Sequence, residues 1–158
     1  MSSDLIIGWK EWVSLPNLNI PAIKVKIDTG AKSSSLHAEN IDFKIIGNES
    51  LIVFDVFPFK NSQPLIKCHE ELKDERIVKS SSGDKEQRPY IHTDIVLGGK
   101  KWSIELNLTN RDYMGSRMIL GREALEGHAI VDVSQKYLHG NYTLKQAQAL
   151  YQQTQNKK

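Results

Sequence analysis

Apolar and basic residues alternate through Ile23-Lys24-Val25-Lys26-Ile27, the period of a strand with one face on a core and the other in water. The run stops at Asp28-Thr29-Gly30, where Asp and Gly favour a turn. Further strands are expected over residues 41–46, 51–58 and 91–97. The last is joined through Gly98-Gly99 to Trp102, Ile104, Leu106 and Leu108, apolar at every second position, and this predicts a hairpin. Met118-Ile119-Leu120 is a short apolar run closed by Gly121-Arg122; residues 123–127 predict one or two helical turns stopped by Gly127, and a strand resumes over 129–133.

Between Cys68 and Arg88 the chain is charged, with Leu72, Ile77 and Val78 as its few apolar anchors and Ser80-Ser81-Ser82-Gly83 at its centre. That composition predicts a projecting hairpin or loop. Beyond Gly140 the sequence is Gln-rich and polar, and Leu144, Ala147 and Tyr151 can line a short surface helix. With no internal repeat and no Pro/Gly linker, the pattern predicts one all-β domain over residues 1–140, followed by a polar C-terminal tail over 141–158.

Composition narrows the functional classes. The chain has 158 residues, 39% of them hydrophobic, enough for one ordinary core. A net charge of +2, from 21 basic and 19 acidic residues, provides no field that would argue for nucleic acid or an anionic membrane as partner. The first twenty residues have neither a basic nor an apolar leader-like region, and no run approaches the length of a bilayer span. Cys68 is the single cysteine, so no intrachain disulfide forms. A cytoplasmic location is expected.

The candidate chemistry sits at the end of the alternating strand. A carboxylate hydrolyses a peptide when it activates water while a second acid protonates the carbonyl, and two adjacent carboxyls sharing one proton do both. Asp28 is the candidate catalytic group, Thr29 offers a hydroxyl that can lock its surroundings, and Gly30 permits close backbone approach. The chain has one Asp-Thr-Gly and no Asp-Ser-Gly, so the second carboxyl is expected from another copy across a two-fold axis. Taken alone, the triplet reads first as a tight turn, and the surrounding pattern is what points to chemistry.

The order Ile27-Asp28-Thr29-Gly30-Ala31, a polar loop with a glycine tip, a hairpin, then Ile119-Leu120-Gly121-Arg122 resembles the retropepsins. More closely, Gly8-Trp9-Lys10-Glu11-Trp12-Val13, Leu15-Pro16, Ser35-Leu36-His37-Ala38, Arg88-Pro89 and Leu108-Thr109-Asn110-Arg111 resemble a bacterial subgroup of retropepsin-like aspartic endopeptidases (RimB-like), historically called ATP-dependent zinc proteases. The resemblance covers roughly residues 6 to 138. It implies a closed retropepsin-like barrel of about six strands, catalytic Asp28, Thr29 and Gly30, supporting roles for Ala31, Gly121 and Arg122, a flap over about residues 74–88, and a homodimer.

Retropepsins often pair the arginine at the position of Arg122 with an acid just after Asp-Thr-Gly-Ala, but here that position is Lys32. The usual ion pair is therefore absent as written, and positive charge is expected beside the cleft. Lys32, Arg88 and Arg111, with Ser82 and Gly83 at the flap tip, are the expected substrate-binding residues, and their charge points to acidic peptides. Zinc is not expected: His37, Cys68, His69, His92, His128 and His139 make neither His-Glu-x-x-His nor Cys-x-x-Cys, and neighbours Cys68 and His69 on a strand face opposite ways. No phosphate-cradling loop or other cofactor site is apparent. The readings that remain are an aspartic endopeptidase, a peptide- or protein-binding module on the same fold, a zinc-dependent peptidase and an assembly subunit.

Overall fold

The computed structural model describes residues 5–79, 82–110 and 115–156. Its strands are β1 (Leu5–Gly8), β2 (Lys10–Leu15), β3 (Ile20–Ile27), β4 (Ser34–His37), β5 (Glu39–Ile46), β6 (Glu49–Val56), β7 (Ile66–Glu71), β8 (Asp74–Lys79), β9 (Lys85–Leu97), β10 (Lys100–Thr109), β11 (Met118–Leu120) and β12 (Ala129–Asp132). Two α-helices, α1 (Arg122–Leu125) and α2 (Leu144–Asn156), and a short 3-10 turn (Pro16–Leu18) between β2 and β3 complete the order among the described residues. The alternation over residues 23–27 holds: Ile23, Val25 and Ile27 are buried while Lys24 and Lys26 are exposed.

Six strands close on themselves in the order β10-β4-β11-β3-β2-β9, with β9 pairing back to β10. Closure leaves the barrel ring without free edges, and its inward residues, among them Val13, Ile23, Val25, Leu36, Ile91, Ile95 and Leu106, are almost fully buried. The β9–β10 hairpin turns at Gly98 and Gly99, both at positive φ (60° and 79°), a geometry glycine adopts without steric cost. β8 extends the barrel beyond β9 as the outer strand of a hairpin, pairing from Asp74 beside Tyr90 to Lys79 beside Lys85. The charged stretch from Asp74 to Arg88 is thus a hairpin, whereas Cys68–Glu71 belongs to β7 in another sheet.

A separate sheet, β5-β6-β7, and the parallel pair β1–β12 pack beside the barrel. The C-terminal segment is not a detached tail. Ala147 and Tyr151 of α2 are buried, and the Tyr151 hydroxyl donates to the Ala22 carbonyl of β3; Leu144 stays half in solvent. The tryptophans divide: Trp12 is buried against Phe59 and Tyr142, whereas Trp102 is half-buried and stacks on His128 at 4.9 Å. Among the described residues no helix is long and apolar enough to cross a membrane.

The sequence left Glu11 unassigned. It is fully buried, and its carboxylate accepts three backbone N–H groups, from Gly8 at 2.7 Å, Leu138 at 3.0 Å and His139 at 3.3 Å. One side chain thereby joins the β1–β2 corner to a segment more than a hundred residues later.

Candidate active site

Parallel pairing of β11 with β3 sets Leu120 beside Ile27 and brings both strand ends to one point on the barrel rim. There the Asp28 N–H donates to the Leu120 carbonyl at 2.9 Å, and the Ala31 N–H closes a turn onto the Asp28 carbonyl at 3.1 Å. The half-buried Asp28 carboxylate accepts the Gly30 N–H through Oδ1 at 3.1 Å. Thr29 and Gly30 are exposed beside it. A loop bonded in this way holds a carboxylate in one place and leaves it open to solvent.

Gly121 supports that loop from behind. A Cβ at this position would lie 2.4 Å from the Ser33 carbonyl oxygen and 2.9 Å from that of Ala31, so a side chain cannot fit without moving the loop. Its N–H donates to Ser34 Oγ at 3.0 Å. The next two amides, of Arg122 and Glu123, donate to the carbonyls of Ala31 and Lys32 at 2.8 and 3.2 Å. Ala31 and Gly121 therefore act through backbone contact.

The expected consequence of Lys32 is resolved by an exchange of partners. Arg122 Nη1 donates to the carbonyl oxygens of Thr29 and Gly30 at 3.2 and 3.4 Å, while Lys32 Nζ lies 3.6 Å from Glu123. The arginine thus holds the loop through its carbonyls, and the lysine takes an acid from the start of α1. Both pairs are exposed, so each adds little stability, and their effect is on geometry. A cleft of about 600 Å³ opens here, lined by Thr29, Lys32, Arg122, Glu123, Leu125 and Val131 among others.

Arg88 departs from its expected role. It is 2% exposed, and its guanidinium donates to Glu86, Ser35 and Asn107, so it is an interior residue of the barrel and not a substrate-facing cation. Ser82 and Gly83 occupy the exposed turn of the β8–β9 hairpin, Gly83 at φ 90°. Arg111 lies outside the described residues, as do Ser80 and Ser81. His37 is buried, with Nε2 3.1 Å from Glu39. Sequence reading missed Ser34, Glu123 and the Tyr90 hydroxyl, which donates to Ser33 Oγ at 3.0 Å; only their partners elsewhere in the chain reveal them.

Cys68 and His69 face opposite ways, the thiol buried and the imidazole exposed. Burial, with smaller contributions from the carboxylates of Asp55 and Glu70, pushes the Cys68 thiol up to about 12. At pH 8 the folded protein should therefore react with Ellman's reagent at least ~1,000-fold more slowly than the urea-unfolded chain. Equal rates would show that the thiol is accessible and active. Among the described residues no three His, Cys, Asp or Glu side chains converge to hold a metal ion.

The family model described as retropepsin-like aspartic endopeptidase RimB matches residues 6–141. The chain belongs to the RimB-like family. A crystal structure of protein Lpg0085 from Legionella pneumophila, of unknown function, superimposes on the RimB-like barrel with a TM-score of 0.72 at 30% identity, covering 87% of this chain and 99% of that one. A "Probable alpha-L-glutamate ligase" of Shewanella pealeana is 45% identical over 148 residues, 92% of this chain and 32% of that protein. A protein of the same name from Desulfotalea psychrophila is 46% identical over 136 residues, 84% of this chain and 29% of that protein. The RimB-like chain spans about a third of the length of the curated relatives it matches.

Proposed function

We propose that the chain is an aspartic endopeptidase that hydrolyses peptide bonds between two Asp28 carboxyls, one from each copy of a homodimer. One observation carries the reading. The Asp28 carboxylate is fixed by the Gly30 N–H, open to solvent and flanked by exposed Thr29, in a chain with a single Asp-Thr-Gly. Such a carboxyl at a rim is half of a catalytic pair, and a two-fold axis past Thr29 supplies the other half.

In that pair like charges cannot both ionise cheaply at close range, so one Asp28 keeps a proton and the other is the base. The base takes a proton from water as its oxygen attacks the scissile carbonyl carbon. The protonated partner gives its proton to the carbonyl oxygen, producing a neutral gem-diol. On collapse of the diol a hydroxyl gives its proton to the ionised Asp28, the C–N bond breaks, and the protonated Asp28 gives its proton to the leaving amine, so the dyad again holds one proton. The β8–β9 hairpin would cover an extended peptide and shed bulk water from the cleft.

A second reading is favoured by the relatives. Chains named as glutamate ligases carry a module like this one as about a third of their length, so the module can serve by holding a glutamyl peptide without cutting it. The same relationship, with Lys32 and Arg122 at the cleft, suits acidic peptides as substrates of the peptidase. The test is mass spectrometry of a diverse peptide pool from acidic to neutral pH, with and without chelator, at several protein concentrations. Chelator-indifferent cleavage, falling per chain on dilution and favouring Glu over Lys beside the scissile bond, supports the proposal. Chelator-sensitive cleavage overturns it. Binding of acidic peptides without cleavage selects the second reading.

A further inference from the structure

Three sequence motifs left unused by the Asp28 site, Ser35-Leu36, Arg88-Pro89 and Leu108-Thr109, meet in one buried cluster. Its centre is Arg88, on β9 at the root of the β8–β9 hairpin, where it lies beside Arg76 of β8. Arg88 Nε donates to Glu86 at 3.0 Å, and Nη1 donates to Asn107 Oδ1 at 3.1 Å and Ser35 Oγ at 3.2 Å. Glu86 in turn accepts the Thr109 hydroxyl at 3.0 Å. Asn107 is fully buried, and its Nδ2 lies 3.5 Å from the Tyr90 hydroxyl, which reaches Ser33.

A buried guanidinium is costly unless each donor direction is met, and an apolar residue of the same volume would usually serve stability as well. What an apolar residue cannot supply is direction. The planar fork of Arg88 addresses β4, β10 and its own strand at once, at one spacing, and Ser35 and Ser33 lie in the segment that follows the Asp28 loop. We propose that Arg88, with Asn107, is a positioning residue that fixes the root of the β8–β9 hairpin relative to the Asp28 loop, so that the hairpin's tip sits over bound peptide. This inference rests on the peptidase reading of the hairpin as a cover.

Arg76 adds a second tie at the same root. It pairs with Asp74 and with Glu105 of β10, each at 2.7 Å, and lies over the Tyr90 ring at 4.3 Å. These groups are partly exposed. They leave Arg88 as the buried anchor and Arg76 as a surface brace.

The experiment compares wild type with Arg88→Met, Arg88→Lys and Glu86→Gln, using an acidic fluorogenic peptide that wild type cleaves and hydrogen exchange read by mass spectrometry. A displaced cover loses binding shared by ground and transition states, so KM should rise about tenfold or more with kcat within about threefold. Exchange should quicken in β8 and the first half of β9 while β3 and β11 stay protected. Arg88→Lys keeps the charge and loses the fork, so it should not restore KM. Should Arg88→Met fail to fold, Glu86→Gln, whose carboxylate is half-exposed, carries the test with the same pattern at smaller size. Unchanged KM with unchanged hairpin exchange, or exchange raised evenly over the barrel, overturns the proposal. If wild type cleaves no peptide, the peptidase reading fails and the exchange pattern alone still decides whether Arg88 anchors the hairpin.

Discussion

Asp28→Asn is expected to lower kcat/KM for peptide cleavage by at least about 10³-fold, the scale of losing a positioned acid–base group, while leaving the fold intact. The asparagine Oδ1 can still accept the Gly30 N–H that Asp28 accepts at 3.1 Å, so stability should change by less than about 0.5 kcal/mol. Shape is kept and the exchangeable proton is lost. The variant also reports on the active unit. Mixed in excess with wild type, it should suppress wild-type cleavage, because most wild-type chains would then sit opposite an asparagine. A fluorogenic peptide assay of such mixtures reads this directly. Cleavage that survives the substitution, or that ignores the added variant, would remove Asp28 or the shared site from the mechanism.

The largest effect on stability is expected at Glu11. Glu11→Ala leaves the buried Gly8 N–H and the part-buried N–H groups of Leu138 and His139 without their acceptor. An unmet buried donor costs about 1–3 kcal/mol, and the Leu138 and His139 donors can turn to water at smaller cost, so a total of roughly 2–3 kcal/mol is expected. Glu11→Gln keeps one oxygen acceptor and should cost about half as much. Urea unfolding of both variants gives the comparison, and a loss below ~1 kcal/mol for Glu11→Ala would mean that the carboxylate does not hold the corner together.

Local pattern carried much of this fold. The alternation of residues 23–27 and the Gly98-Gly99 turn are readable because a strand and its hairpin depend on near neighbours. Asp28 stood out because a turn with a carboxylate follows a buried strand. Arg88 read as a surface cation because charged residues mostly are, and nothing near it in sequence shows Ser35 and Asn107 waiting across the barrel. Glu11 was silent for a similar reason: two of its three partners, Leu138 and His139, lie more than a hundred residues away. Ala147 and Tyr151 were legible as one face of α2, but their docking on β3 was not, because the Ala22 carbonyl that Tyr151 reaches lies far away in sequence. At Arg122 the departure of Lys32 from the usual acid was visible, but the rearrangement onto the Thr29 and Gly30 carbonyls and Glu123 was not.

The parallel pairings have a consequence for how the chain is made. Val25 of β3 finds Met118 of β11, and Ser34 of β4 finds Leu106 of β10. At ribosomal speeds of roughly 5–20 residues per second, β3 emerges about 5–20 seconds before the strand that completes its pairing. Throughout that interval an apolar strand ending in Asp28 has one open edge, and pairings this distant in sequence are slow to find even in a finished chain. The alternating lysines at 24 and 26 give the waiting strand charge along one face, which discourages stacking with other nascent chains. The Asp28 loop is therefore among the last parts of the barrel to take shape, and a newborn chain cannot present an ordered Asp28 until Leu120 has left the ribosome.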